Sequence, residues 1–261
     1  MIATGGRVTA VLVGVPFVLA AAGWGAFSVV GTFAHASEQH QASYDWNGGE
    51  ISLSVGSGRV TVEAGAGSRV DVSYTEHYEL KKPTVSAATA DGGLQLNAKC
   101  PGGIFGNNCA VNYTLTVPAS AHLVVHTGDG TVRISGMVNG VSADTGDGGI
   151  HLTDVGGDVV ARTGDGGIDA TRLRSTSVQA ETGDGGIRLE WAIAPTSVTA
   201  TTGDGGIVLA VPSGSGPYNV SATTGDGRAQ VNVPTDKASS SSITAHTGDG
   251  GILIDNLSGS G

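Results

Sequence analysis

From Gly49 onward, apolar and polar residues alternate one for one in short runs, "ISLSV", "RVTVEA", "RVDVSY" and "YTLTVP", each bounded by glycine, proline or asparagine. A period of two sends successive side chains to opposite faces of an extended ribbon, so these runs predict β-strands with one buried and one wet face. At Thr127 the alternation becomes a repeat. The tetrapeptide Thr-Gly-Asp-Gly recurs with its threonine at 127, 145, 163, 182, 202, 224 and 247, a period of 18 residues that lengthens to 23.

Aligning the seven copies on that threonine gives four apolar columns. Four residues before it stand Leu123, Val141, Val159, Val178, Val198, Val220 and Ile243, and two before it Val125 and then six alanines, Ala143, Ala161, Ala180, Ala200, Ala222 and Ala245. Five residues after it come Val132, Ile150, Ile168, Ile187, Ile207, Ala229 and Ile252, and seven after it Ile134, Leu152, Ala170, Leu189, Leu209, Val231 and Ile254. The positions between are mostly polar. Each copy therefore reads as strand, glycine corner, strand and return connection, and repeats of this length stack as supersecondary units. The alanine column implies a thin interior, because a bulky side chain at every level would force the layers apart.

Two arrangements satisfy the columns: a β-solenoid in which copies stack as successive coils, and an antiparallel meander or β-sandwich in which TGDGG joins hairpin partners. Charge pairing fits both, since Asp144, Arg162 and Glu181 alternate in sign from copy to copy while Arg162 with Asp169 and Glu181 with Arg188 suit cross-strand pairs. Burial favours the all-β solenoid. A meander of some fourteen strands needs a cover for its apolar face and no amphipathic helix is present to supply one, whereas a coil closes on itself.

The apolar run from Val8 to Ala34 carries no charge and follows Arg7. At ~1.5 Å per residue it exceeds the ~20 residues that cross a hydrocarbon core. It predicts a single membrane span, with residues 1–7 cytoplasmic and the acidic remainder outside. "AHA" at 34–36 also fits a signal-peptide cleavage site, but the run is longer than a signal peptide needs. The expected organisation is a cytoplasmic tip at 1–7, a span at 8–34, a polar linker at 35–48, an irregular β region at 49–126, the TGDG solenoid at 127–257 and a tail at 258–261.

The net charge of −10 argues against nucleic acid and anionic lipid headgroups as partners. It leaves calcium, cell-wall glycan and surface proteins open. Cys100 and Cys109 bracket "PGGIFGNN", and in an exported chain such a close pair predicts a disulfide rather than a metal site.

The corner tetrapeptide has a structural reading and a chemical one. Glycine there reaches positive φ without penalty, and the aspartate can accept backbone N–H groups in an Asx turn. The chemical reading is calcium along the column Asp129, Asp147, Asp165, Asp184, Asp204, Asp226 and Asp249. Stacked at ~4.8 Å, neighbouring carboxylates in water repel by ~0.9 kcal/mol per pair, which either splays them or recruits a cation. The spacing is not that of the nonapeptide calcium roll. Insertions collect in the connection opposite the corner, where Trp191 and Tyr218 either face a sugar or partner or, for Trp191, close the interior.

No motif of nucleophilic, metal or phosphate chemistry is present, and identical aspartates repeated along a ladder differ from the local carboxylate pair of a carbohydrate-active enzyme. The sequence therefore points to no catalytic residues and no obligate cofactor. The seven TGDG copies, "VPASAHLVVHTGDGTVRI" and the preceding "VNYTLTVP" resemble a bacterial β-strand-repeat family of unknown function regarded as candidate adhesins. Its members carry T-G-S-G-D-I or T-x-S-G-D-V every 18 to 20 residues, often behind one N-terminal span. In most copies of this chain Asp stands where that family has Ser and Gly where it has Asp, which weakens any cation role by analogy. The resemblance implies a right-handed β-helix-like fold and a structural or adhesive role at the cell surface.

Overall fold

The computed structural model describes residues 9–10, 36–102 and 109–257. Strands preceding the TGDG corners lie side by side in one parallel sheet, and strands following them lie in a second. In the first sheet Val141 pairs with Leu123 on one side and Val159 on the other, Ala143 with Val125 and Ala161, and Thr145 with Thr127 and Thr163. In the second, Ile150 pairs with Val132 and Ile168, and Ile187 with Ile168 and Ile207. Like meets like in every column, which is the register of a solenoid; the antiparallel meander and β-sandwich alternatives are excluded for the repeats. The strand Ile168–Thr182 passes through both sheets.

The space between the sheets is filled by the four columns. Ala143, Ala161, Ala180, Ala200 and Ala245 are at most 1% exposed, and the Val/Ile columns flanking them are buried with them. The alternation is kept because slipping by one residue would turn each column into water. Charges on the outer face of the first sheet pair along the stack: His126 with Asp144 at 3.2 Å and Arg162 with Glu181 at 3.5 Å.

The ladder does not begin at Thr127. Ile51–Ser57 pairs with Leu123–Asp129, and Val60–Gly65 with Val132–Ser135, so "SVGSGRV" is a further rung with Val55 in the threonine place. Gly93–Lys99 and Ala110–Pro118 add one more rung beyond it. Here the tight corner is replaced by the longer segment between Cys100 and Cys109, which are joined in the expected disulfide.

Rung order departs from chain order at both ends. The rung of residues 51–65 lies between the rung of 93–118 and that of 123–135. At the other end the seventh copy, Ser242–Thr247 with Ile252–Asn256, is inserted between the fifth and the sixth. The sixth copy, Asn219–Thr224 with Ala229–Val231, is thus outermost, which is why Ala229 and Val231 are exposed while their column mates are buried.

Antiparallel strands close the opposite end. Ala36–Asp45 lies on Arg69–Tyr78, which lies on Ala110–Pro118, and Thr84–Ala90 lies on Gly93–Lys99. Such strands cover a parallel sheet edge that would otherwise invite pairing with other chains. The segment 35–48, read as a linker from its polarity, is in the main this ten-residue outer strand. Its inward positions include Glu38 and His40, so the alternation carries no hydrophobic signal there.

The expected membrane span 8–34 lies outside the described residues apart from Thr9–Ala10, a two-residue strand paired antiparallel with Glu38–Gln39. The tip 1–7 and the tail 258–261 also lie outside them. Among the described residues no helix is long and apolar enough to cross a membrane.

Candidate functional site

Two ladders, one of backbone and one of side-chain bonds, run along the stack at the corners. The first glycine donates its N–H to the first glycine's carbonyl of the neighbouring rung: Gly146 to Gly128 at 2.7 Å, Gly164 to Gly146 at 2.7 Å, Gly183 to Gly164 at 2.6 Å and Gly203 to Gly183 at 2.6 Å. The threonine hydroxyl, buried beneath the corner, donates to the neighbouring rung's second glycine: Thr163 to Gly148 at 2.8 Å, Thr182 to Gly166 at 2.7 Å and Thr202 to Gly185 at 2.8 Å. It also accepts from its own corner, as where the Gly166 N–H donates to Thr163 at 3.2 Å. On the side away from Thr145, Thr127 meets Val55 in place of a threonine, and its buried hydroxyl has no partner.

The corner glycines are required for a reason other than the expected one. No TGDG glycine has positive φ. A Cβ on Gly148 would instead stand 1.8 Å from the Gly130 carbonyl oxygen, and one on Gly166 would stand 2.0 Å from that of Gly148. Rungs approach so closely at the corner that no side-chain carbon fits between them.

All seven corner aspartates, Asp129, Asp147, Asp165, Asp184, Asp204, Asp226 and Asp249, are exposed along one outer edge. In stack order Asp249 precedes Asp226, because the last two rungs are exchanged. No carboxylate of the seven accepts a hydrogen bond from the described residues, so the expected Asx turn is not made; backbone–backbone and threonine bonds fix the corner instead. Among the described residues the one trio of ligand atoms close enough to share a metal ion is elsewhere, in the antiparallel cap.

The candidate partner face at Trp191 and Tyr218 is not available. Trp191 is 0% and Tyr218 1% exposed, and the Trp191 indole N–H donates to the Ser175 carbonyl at 3.1 Å inside the stack. Both rings belong to the buried core. Their burial is what the apolar ring surface dictates once the connection folds inward.

A different surface feature stands beside the corner. The residue after TGDG is glycine in five copies, Gly149, Gly167, Gly186, Gly206 and Gly251, but Thr131 in the first and Arg228 in the sixth. At these five a Cβ would meet nothing nearer than 3.4 Å, so packing tolerates a side chain that the sequence withholds. Gly149, Gly167, Gly186 and Gly206 form the floor of an open groove of about 550 Å³ running across the rungs. His151, Asp169, Arg188 and Val208 rise along its side. Its size lies within the ~300–1,000 Å³ of ligand sites, and its lining offers backbone and mixed charge.

The profile of the Toastrack DUF4097 family matches residues 49–260, from the rung of Ile51 to beyond the last strand. The chain belongs to this family. Solved structures similar to this Toastrack chain include a candidate adhesin from Bacteroides fragilis, 15% identical with a TM-score of 0.42, the match covering 84% of this chain and 97% of that one. A candidate cell adhesion protein from Clostridium sporogenes is 14% identical with a TM-score of 0.34 over 84% and 99% of the two chains. A candidate lipid-binding protein from Parabacteroides distasonis is 10% identical with a TM-score of 0.34 over 84% and 97%. No curated protein matches the chain.

For this Toastrack chain, reading the sequence singled out the aspartates and missed the glycine after them. The signal was present in the same column: Thr131 and Arg228 show that the position accepts a side chain, so glycine in the other five copies is not explained by stacking.

Proposed function

We propose that this Toastrack chain is a membrane-anchored, extracytoplasmic and non-catalytic surface module that holds an extended cell-wall glycan along the glycine-floored groove. The observation that carries the reading is the column Gly149, Gly167, Gly186 and Gly206, bare although a Cβ has room at each. A floor without side chains lets a polymer approach the backbone closely, and His151, Asp169 and Arg188 offer it donors and acceptors at successive rungs. Membrane attachment rests on the uncharged run 8–34 after Arg7, and the outward orientation on the same charge asymmetry. The absence of catalysis rests on the corner itself, where each conserved-looking feature of the repeat either builds the ladder or lines an exposed edge, and an identical group at every rung does not define a reacting centre.

Retention on solubilised cell-wall glycan strands tests this. Gly186→Leu places a side chain in the middle of the floor without touching the ladder bonds and should reduce retention at least tenfold while leaving the melting temperature within a few degrees. Equal retention of G186L and the unmodified chain refutes the groove as the glycan face. Retention of surface proteins but not glycan would replace the ligand class.

A further inference from the structure

The antiparallel cap contains a cluster unrelated to the corners. Glu38 and Glu76 are direct register partners across the strands Ala36–Asp45 and Arg69–Tyr78. Like charges in that relation destabilise a strand pair unless something neutralises them. Glu76 is 2% exposed, and its buried Oε2 faces the Lys82 ammonium. His40 follows Glu38 on the same face, stacked on Tyr74 with ring centroids 4.8 Å apart, which fixes the imidazole plane. Its Nε2, also buried and without a hydrogen-bond partner, lies 3.7 Å from Glu38 Oε2 and 3.8 Å from Glu76 Oε1.

The ammonium of Lys82 is set against the two carboxylates, 2.7 Å from Glu38 Oε2 and 3.2 Å from Glu76 Oε2. The Tyr78 hydroxyl donates to the other Glu38 oxygen at 2.6 Å. Hydrogen bonding from Lys82 and then from Tyr78 holds the Glu38 carboxyl below its ordinary value, and the same pairing with Glu38 raises Lys82. Lys82 itself is half-exposed and stands on the connection after Tyr78.

We propose that Glu38, His40 and Glu76 form a binding site for a divalent first-row transition ion, with Zn²⁺ the fitting member, and that the Lys82 ammonium occupies the cation position until the ion displaces it. Bonds of ~2.0–2.1 Å to a tetrahedral ion set ligand atoms ~3.3 Å apart; the three ligand atoms already lie within 4.8 Å of one another, and each carboxylate oxygen lies within 3.8 Å of His40 Nε2. One imidazole nitrogen with two carboxylate oxygens suits zinc better than calcium or magnesium, which favour all-oxygen shells. The ion would balance both carboxylates and pin the outermost strand to its neighbour. The site lies in the cap, so its occupancy and glycan retention by the groove are separate properties.

Calorimetric titration of the purified full chain with ZnCl₂, and with CaCl₂ and MgCl₂ as counter-probes, tests the site. Zinc should bind at one ion per chain, while the two hard cations at the same concentration should give no saturable heat. His40→Gln should weaken zinc at least tenfold. Because E76Q alters a buried group on which the cap rests, Lys82→Met serves as the second variant: it removes the competing ammonium and no ligand, and should tighten zinc several-fold. Zinc affinity unchanged in H40Q, or no zinc binding by K82M, overturns the proposal.

Discussion

The two glycines that end five of the corners, adjacent in sequence, should respond oppositely to the same methyl group. In Gly166→Ala the new Cβ would lie 2.0 Å from the Gly148 carbonyl oxygen, where ordinary contact starts at 3.4 Å. The rungs would have to part locally by about 1.4 Å, which breaks the Thr163 bond to Gly148 at 2.8 Å and stretches that of Gly164 to Gly146 at 2.7 Å. Each such bond contributes about 0.5–1.5 kcal/mol and overpacking adds about 1–3 kcal/mol, for a loss of about 2–6 kcal/mol. At ~2–4 °C per kcal/mol for a domain of this size, the melting temperature should fall by about 4–24 °C. In Gly167→Ala the nearest atom is the Gly186 carbonyl oxygen at 3.4 Å, so nothing moves. The loss of unfolded-chain freedom should then leave stability unchanged or raise it by about 0.4–1 kcal/mol. Thermal and guanidinium unfolding followed by circular dichroism measure both. A G166A variant within 1 kcal/mol of the unmodified chain, or a G167A variant as damaged as G166A, would refute close rung approach as the reason for the corner glycines.

Ala180→Phe should lower stability by about 1–3 kcal/mol or more by overfilling the thin interior, measured by the same unfolding curves; an unchanged midpoint would contradict the burial of its column. Millimolar calcium should leave the melting temperature of the chain, and of the Asp147→Asn, Asp165→Asn, Asp184→Asn triple variant, unmoved, since those carboxylates are exposed and not gathered into a ligand group. A saturable calcium shift lost in the triple variant would reinstate the cation reading. Reducing the Cys100–Cys109 disulfide reopens a ten-residue loop at the first rung and should cost about 2.5–3 kcal/mol, read as a lower denaturation midpoint in reductant.

The repeat columns were legible because burial acts on every second residue, and Val141, Ala143, Ile150 and Leu152 state the inward face without ambiguity. Rung order was not, because copies that match column for column are interchangeable in register; nothing in Val220 or Ile243 says which packs on Val198. The rung at Ile51–Gly65 escaped notice because Val55 and Ser57 replace the threonine and aspartate that mark the others. The cap cluster was equally hidden. Glu38 and Glu76 meet only through strand pairing, and their polarity made the segment read as a tether. At the corner the sequence named the right residues with the wrong physics: glycine serves crowding between rungs rather than a left-handed turn.

The exchange of the last two rungs changes how the molecule would bear tension. If a partner pulled on the C-terminal strand Ile252–Asn256, the force would enter a rung gripped by neighbours on both sides, Ile207–Val211 and Ala229–Val231. Unzipping from a free edge, one bond at a time, is thereby denied at the place where a stack of coils is otherwise weakest. The strand could leave only by sliding against two ladders together, so that traction along the chain is resisted by many bonds at once.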